Sequence, residues 1–300
     1  MKLYPLRLWP DNSSFDFVSI GKFAYFISIA LTLLSAILLA TYKLNLGIDF
    51  TGGVNIELKS QKDLDIGQIR KSLGQLDLSE AIVQNIGDRE FSIKFATDLQ
   101  AQEVIQNVKD KLSSTFIDNP IDYRKSDFVG AQVGKQLVFA GAQSIFFAFL
   151  AIMVYVWFRF EWQFGLGVVI ALVHDAILCL GFLSLTKLDF SLSSVAAILT
   201  VIGYSVNDSV VIYDRIRENI RRYKQKTIPQ IINISVNETL SRTTLTVLTT
   251  LIANAALVIY GGEGLRSFSV LVFFGIVVGT YSSIFISAPI LTLLKLEKFK

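Results

Sequence analysis

Cysteine and histidine are all but missing from this sequence. Cys179 and His174 stand alone among 300 residues. No disulfide can form within the chain, and neither a cysteine zinc site nor a multi-histidine metal site can be assembled. Charge is scarce as well, at 18% of residues, where a soluble domain carries about 25%. Nucleotide-binding and hydrolytic signatures are also lacking. The stretch GIDFTGG, residues 47–53, has no GKS or GKT ending for a phosphate loop, and His174 has a neighbouring acid but no serine in a nucleophile motif. An enzyme, a metal protein and a cofactor carrier are therefore not expected, and nothing points to nucleic acid as a partner.

What the chain has instead is apolar length. It is 52% hydrophobic with a mean hydropathy of +0.52. The excess lies in blocks of about twenty residues, enough to cross a bilayer, so the sequence reads as a polytopic α-helical membrane protein. Six transmembrane helices are expected, at residues 23–42 and about 136–158, 164–185, 190–213, 243–260 and 268–294. Residues 159–163 and 186–189 are short connections that make helical hairpins, and 214–242 reads as a longer loop. Residues 1–22 are expected to be a cytoplasmic lead-in rather than a cleaved signal peptide, with Leu6, Leu8 and Trp9 able to rest on the membrane surface. Residues 295–300 would be the cytoplasmic end.

Between the first and second spans, residues 43–133 change character. Val54, Ile56 and Leu58 alternate as in a strand, and Ile66, Ile69, Leu73 and Leu76 recur at helical spacing. Residues 81–86 and 90–95 read as a hairpin turning at Gly87-Asp88. Val104, Ile105, Val108 and Leu112 mark a second helix, and 121–128 a last strand. The order β-α-β-β-α-β is that of a ferredoxin-like α+β domain.

Lysine and arginine near the span ends set the orientation. Lys22, Arg159, the run at residues 215–226, Arg242 and both chain ends fall on one side; outside the α+β domain the other side has only Lys43, Lys135, Lys187 and Arg266. The basic side is expected to be cytoplasmic with both termini, which makes the α+β domain periplasmic. That domain carries 11 basic and 14 acidic side chains.

One acid lies inside a span. Asn207 and Asp208 interrupt the fourth apolar run, which closes with Asp214, Arg215, Arg217 and Glu218 as a helix does on leaving lipid. A carboxylate at membrane depth costs about 2.5–3.5 kcal/mol on insertion scales, so it needs a partner, a wet path or a task. Thr200, Gly203, Ser205 and Ser209 share that span. The fifth opens with Asn237, Glu238, Ser241 and Arg242 and continues with Thr246, Thr249 and Thr250 on the Arg242 face. Antiparallel spans put Asp208 and Arg242 at matching depth. An acid balanced between a nearby cation and desolvation changes protonation when helices shift; a static ion pair pinning two helices is the simpler alternative. His174 and Asp175 in the third span, pointing about 100° apart, are expected to give structural or supporting contacts. Gly275, Gly279, Ser283 and Ser287 form a small-residue ridge for close helix approach. Asp49, Gly52 and Gly53 read as a turn from span to strand. The basic run at 215–226 could touch anionic lipid or an acidic partner, or simply mark the inner side.

GIDFTGG after the first span, GYSVNDSVVIYDRIREN in the fourth and NETLSRT leading into the fifth together resemble the SecF branch of the SecD/SecF family, within the RND superfamily. The resemblance covers nearly the whole chain, and Ser209 stands where threonine is frequent. It implies a subunit of the bacterial Sec translocase in the inner membrane, complexed with SecD, associated with the SecYEG channel and acting on a translocating preprotein. The energy source would be the proton gradient. Asp208 and Arg242 would be the proton-path residues, Asn207, Ser209, Thr246, His174 and Asp175 supporting polar groups, and Gly47, Asp49, Gly52 and Gly53 a structural motif. A non-catalytic assembly subunit and half of an RND-type exporter are the alternatives.

Overall fold

The structure, a computed structural model, describes residues 14–97, 101–294 and 296. The surface-resting residues Leu6, Leu8 and Trp9 lie outside them. In chain order the elements are α1 (Phe17–Tyr42), β1 (Asn45–Leu46), α2 (Ile48–Thr51), β2 (Gly53–Ser60), α3 (Ile66–Gly74), β3 (Ile82–Gly87), β4 (Glu90–Phe95), α4 (Ala101–Thr115), β5 (Ile121–Val129), α5 (Ala131–Arg159), α6 (Trp162–Thr186), β6 (Asp189–Phe190), α7 (Leu192–Arg222), α8 (Ile228–Tyr260), α9 (Glu263–Ser282), a π-helical turn (Ser283–Ser287) and α10 (Ala288–Leu293). Of the described residues, those up to 45 and from 144 onward form a helical unit, and those within 46–143 form the α+β unit.

Six helical segments among the described residues are long and apolar enough to span a membrane: α1, α5, α6, α7, α8 and residues 264–293. Lipid provides no hydrophobic drive for helix association, so small side chains that admit close packing decide which helices meet. Gly181 of α6 lies against Ser35 of α1, Gly167 of α6 against Tyr213 of α7, and Gly275 and Gly279 of α9 against Val201 and Ser205 of α7. The expected ridge on the last span is therefore the face that receives α7. The π turn precedes Pro289, whose ring removes one N–H and would crowd the carbonyl of Phe285; a π turn accommodates that break.

The expected loop at 214–242 is mostly helix. α7 runs on to Arg222 and α8 starts at Ile228, leaving only residues 223–227 between them. Hydropathy locates where lipid ends, not where the helix ends. Beyond lipid the two helices are held by side chains: Asn219 donates to Ser235 Oγ at 3.0 Å and to Glu238 at 2.6 Å, and Arg215 donates to the same Glu238 oxygen at 2.7 Å. Thr227 and Gln230 close a capping box on α8. Residues 17–22, expected in the lead-in, are the first turns of α1. Asp16 caps that helix by accepting from the Ser19 N–H at 3.1 Å, and Asn233 and Asn237 of α8 bond the backbone of Val18 and Phe15.

The α+β unit has the β-α-β-β-α-β order. Its antiparallel sheet runs β3-β4-β2-β5, the ferredoxin-like arrangement with the first and third strands central. Val54, Ile56 and Leu58 of β2 and Phe91, Ile93 and Phe95 of β4 are buried against Ile69 and Leu73 of α3 and Val108 and Leu112 of α4. The hairpin turns one residue later than expected: Gly87 pairs with Glu90, and Asp88-Arg89 forms the turn with Arg89 at φ 59°.

GIDFTGG forms the one-turn helix α2 and the start of β2. Gly47 is the N-cap and Asp49 lies in the first turn. Gly52 and Gly53 take φ of 74° and 105°. A Cβ on Gly53 would collide with the Phe95 carbonyl, and one on Gly52 would sit 2.8 Å from the Ala131 Cα. Only glycine satisfies both the dihedrals and the space.

Candidate functional site

α7 carries two polar sets on different faces. One set faces α6 and α9 and is closed. Asp175 of α6 is fully buried, and its Oδ2 accepts from Ser205 of α7 at 2.7 Å and from Ser282 of α9 at 2.7 Å. His174 Nδ1 lies 3.0 Å from Oδ1 of Asp175, so the adjacent pair does meet despite its angular separation on the helix. His174 Nε2 is buried without a partner. Three spans thus meet at one carboxyl group: α6 carries it together with His174, and α7 and α9 contribute one serine each.

The other set faces α8. Asp208 is 2% exposed, and its Oδ2 has no hydrogen-bond partner. The charge of Arg242 acts on it from α8, yet Arg242 makes no ion pair or hydrogen bond among the described residues and is exposed on the surface of the single chain. One turn before Asp208, the Tyr204 hydroxyl faces Thr246 and Thr250 of α8 and is buried without a hydrogen bond of its own. Those threonines are turned back on their helix: Thr246 donates to the Thr243 carbonyl at 2.9 Å and Thr250 to the Thr246 carbonyl at 2.8 Å. Asn207 is exposed, and Ser209 is buried at 1%.

The two acids differ in kind. Asp175 is engaged by three neighbouring groups that knit α6, α7 and α9, so removing its carboxyl group disturbs packing. Asp208 is buried with an oxygen that nothing holds, and a cation stands within electrostatic reach but not in contact. No fixed hydrogen bond is lost if Asp208 gains or loses a proton. Among the described residues no group of three His, Cys, Asp or Glu side chains is placed to hold a metal ion.

Residues 107–297 match the model described as protein export membrane protein SecD/SecF, C-terminal, and residues 37–63 match the SecD/SecF GG motif. The chain belongs to the SecD/SecF family. Within the family it is 58% identical over 302 residues to the protein translocase subunit SecF of Rickettsia felis, covering 100% of this chain and 98% of that one. It is 57% identical over 303 residues to SecF of Rickettsia bellii, covering both in full. Among solved structures, SecDF from Thermus thermophilus, a translocon-associated membrane protein, superposes with a TM-score of 0.87 at 32% identity. A second SecDF structure, in a super-membrane-facing form, gives 0.68 at 31%. Each alignment covers 96% of this chain and 40% of the SecDF chain, so this SecD/SecF protein spans less than half of that longer polypeptide. It is a multi-pass membrane protein of the Sec translocase family.

Ser282 and Tyr204 were not among the residues singled out from sequence. Ser282 sits three residues after Gly279, on the ridge that packs α7, and that spacing is the signal that could have found it. Tyr204 lies four residues before Asp208, on the same helix face.

Proposed function

We propose that this chain is the SecF-type half of a SecD–SecF complex that joins the SecYEG channel and uses the proton gradient in the late stage of preprotein passage across the bacterial inner membrane. Asp208 takes up and releases the proton, and Arg242 is the counter-charge that makes the ionised form tolerable. Both termini are cytoplasmic, the α+β unit is periplasmic, and its position changes with the charge on Asp208. The observation that carries this reading is the unheld oxygen of Asp208 across from a cation with no close partner. A carboxyl group at membrane depth with no fixed partner is costly, and it fits a group that must change state. Full-length similarity to SecF subunits supports the assignment of partners.

The test is gradient-dependent export in inverted membrane vesicles, with protein abundance and SecD co-purification measured beside it. Asp208→Asn abolishes the gradient-stimulated part while abundance and co-purification hold. Arg242 acts as a charge at a distance rather than through a contact. Arg242→Lys therefore retains most of the stimulation and Arg242→Gln loses it. Full stimulation in Asp208→Asn overturns the proton role. Loss that tracks abundance alone assigns the chain a purely assembling role, and drug export without preprotein export assigns it to small-molecule efflux.

A further inference from the structure

The C-terminal turns of α7 and the end of α5 border an open cavity of about 490 Å³ lined by Arg159, Asp214, Arg217, Glu218, Arg221 and Arg222. The α7 residues recur at spacings of three and four, so they form one helix face. Four arginines stand against two carboxylates, and both carboxylates are already engaged. Asp214 accepts two hydrogen bonds from Arg159, at 2.8 and 3.0 Å, and lies 4.0 Å from Arg217; Glu218 accepts from Arg215, outside the cavity, at 2.6 Å. Arg217 donates to the Arg159 carbonyl at 3.2 Å, lies over the Phe160 ring and feels the charge of Glu161, yet its Nε is buried without a partner. Arg222 has only the Tyr223 ring, 5.4 Å away, and Arg221 has no partner among the described residues.

The wall sits at headgroup depth. Next to Arg159 in sequence, Trp157, Phe158 and Trp162 are 70%, 90% and 59% exposed, as in the aromatic belt where a span meets the polar boundary. Arginines at a span end also complement the helix dipole and the inner-side charge bias. Neither effect calls for a concave wall, nor for two arginines in it, Arg221 and Arg222, that have no carboxylate partner among the described residues.

We infer that this cavity binds the phosphate of an anionic phospholipid headgroup, held by the forks of Arg217, Arg221 and Arg222, with the acyl chains running beside Trp157 and Trp162. Planar guanidinium groups match phosphate oxygens two at a time, and among the described residues Arg221 and Arg222 have no carboxylate of their own to occupy their forks.

The full chain, reconstituted in nanodiscs, reports binding through its own tryptophans. Brominated phosphatidylglycerol quenches their emission at lower mole fraction than brominated phosphatidylcholine. Arg221→Gln/Arg222→Gln lowers that preference on the order of a hundredfold, since each charge-assisted hydrogen bond lost is worth about tenfold or more. Lys224→Gln/Lys226→Gln removes the same charge outside the cavity and leaves most of the preference. Equal loss in both double variants, or no preference in the unaltered protein, overturns the inference. So does displacement of the lipid by millimolar inorganic phosphate, which assigns the site to a soluble anion, or by a poly-glutamate peptide, which assigns it to an acidic protein segment. Arg221→Lys/Arg222→Lys keeps charge without the fork; a partial preference in that variant identifies the guanidinium geometry as the recognising element.

Discussion

Ser205 and Ser282, 77 positions apart in sequence and on different helices, donate to the same oxygen of Asp175. Each can lose its hydroxyl while the other still serves that oxygen. Ser205→Ala and Ser282→Ala are each expected to cost about 1 kcal/mol, as interhelical hydrogen bonds in membranes do. The double variant is expected to cost more than the sum, because only then does Oδ2 of a buried carboxyl group stand bare. Thermal unfolding of the reconstituted protein measures all four corners of the cycle. Simple additivity would mean that the two serines do not share an acceptor.

Gly275 of α9 packs against α7, and a methyl group there would run into the Val201 side chain. Gly275→Ala is expected to destabilise by about 1–3 kcal/mol through overpacking, and Val201→Ala should recover much of that loss. Gly203 of α7 has open space around it. Gly203→Ala should therefore stabilise, by up to about 1 kcal/mol, through helix propensity alone.

In the α+β unit, Gly53→Ala combines a left-handed φ with a collision against the Phe95 carbonyl. The expected cost is on the order of 3 kcal/mol, shared between backbone strain and overpacking. Limited proteolysis in residues 46–143 should accelerate sharply. Gly74→Ala, where an added Cβ meets nothing, serves as the control and should not accelerate digestion.

Asp16, at the cap of α1, is held below its ordinary value of 3.8, first by the Ser19 hydroxyl, then by the Ser19 backbone N–H and Asn233. Its contribution is fully present above 3.8 and is lost as pH falls through the lowered folded value. The stability gap between the unaltered protein and Asp16→Ala should narrow on acidification below 3.8. A gap that stays constant there would show that the cap contributes nothing through its charge.

Much of this protein is legible without coordinates because lipid and local periodicity leave few choices. Blocks of apolar residues locate the spans, since no polar backbone survives in hydrocarbon outside a helix or a closed barrel. Period-two and period-3.6 patterns mark Val54, Ile56 and Leu58 as strand and Val108 and Leu112 as helix. The ends of α7 and α8 are not legible in this way. Past Tyr213 the helix continues on contacts such as Asn219 to Glu238, between residues that hydropathy treats only as polar.

The sequence by itself determined the number of spans, the order of the α+β elements and the presence of an acid at membrane depth, because each follows from short-range chemistry along the chain. Tertiary structure alone decided that Asp175 is shared by three spans while Asp208 keeps an unheld oxygen facing the Arg242 charge. The two acids look alike in sequence. What separates them is which neighbouring helix each faces, and that depends on how closely small residues on distant segments let those helices approach.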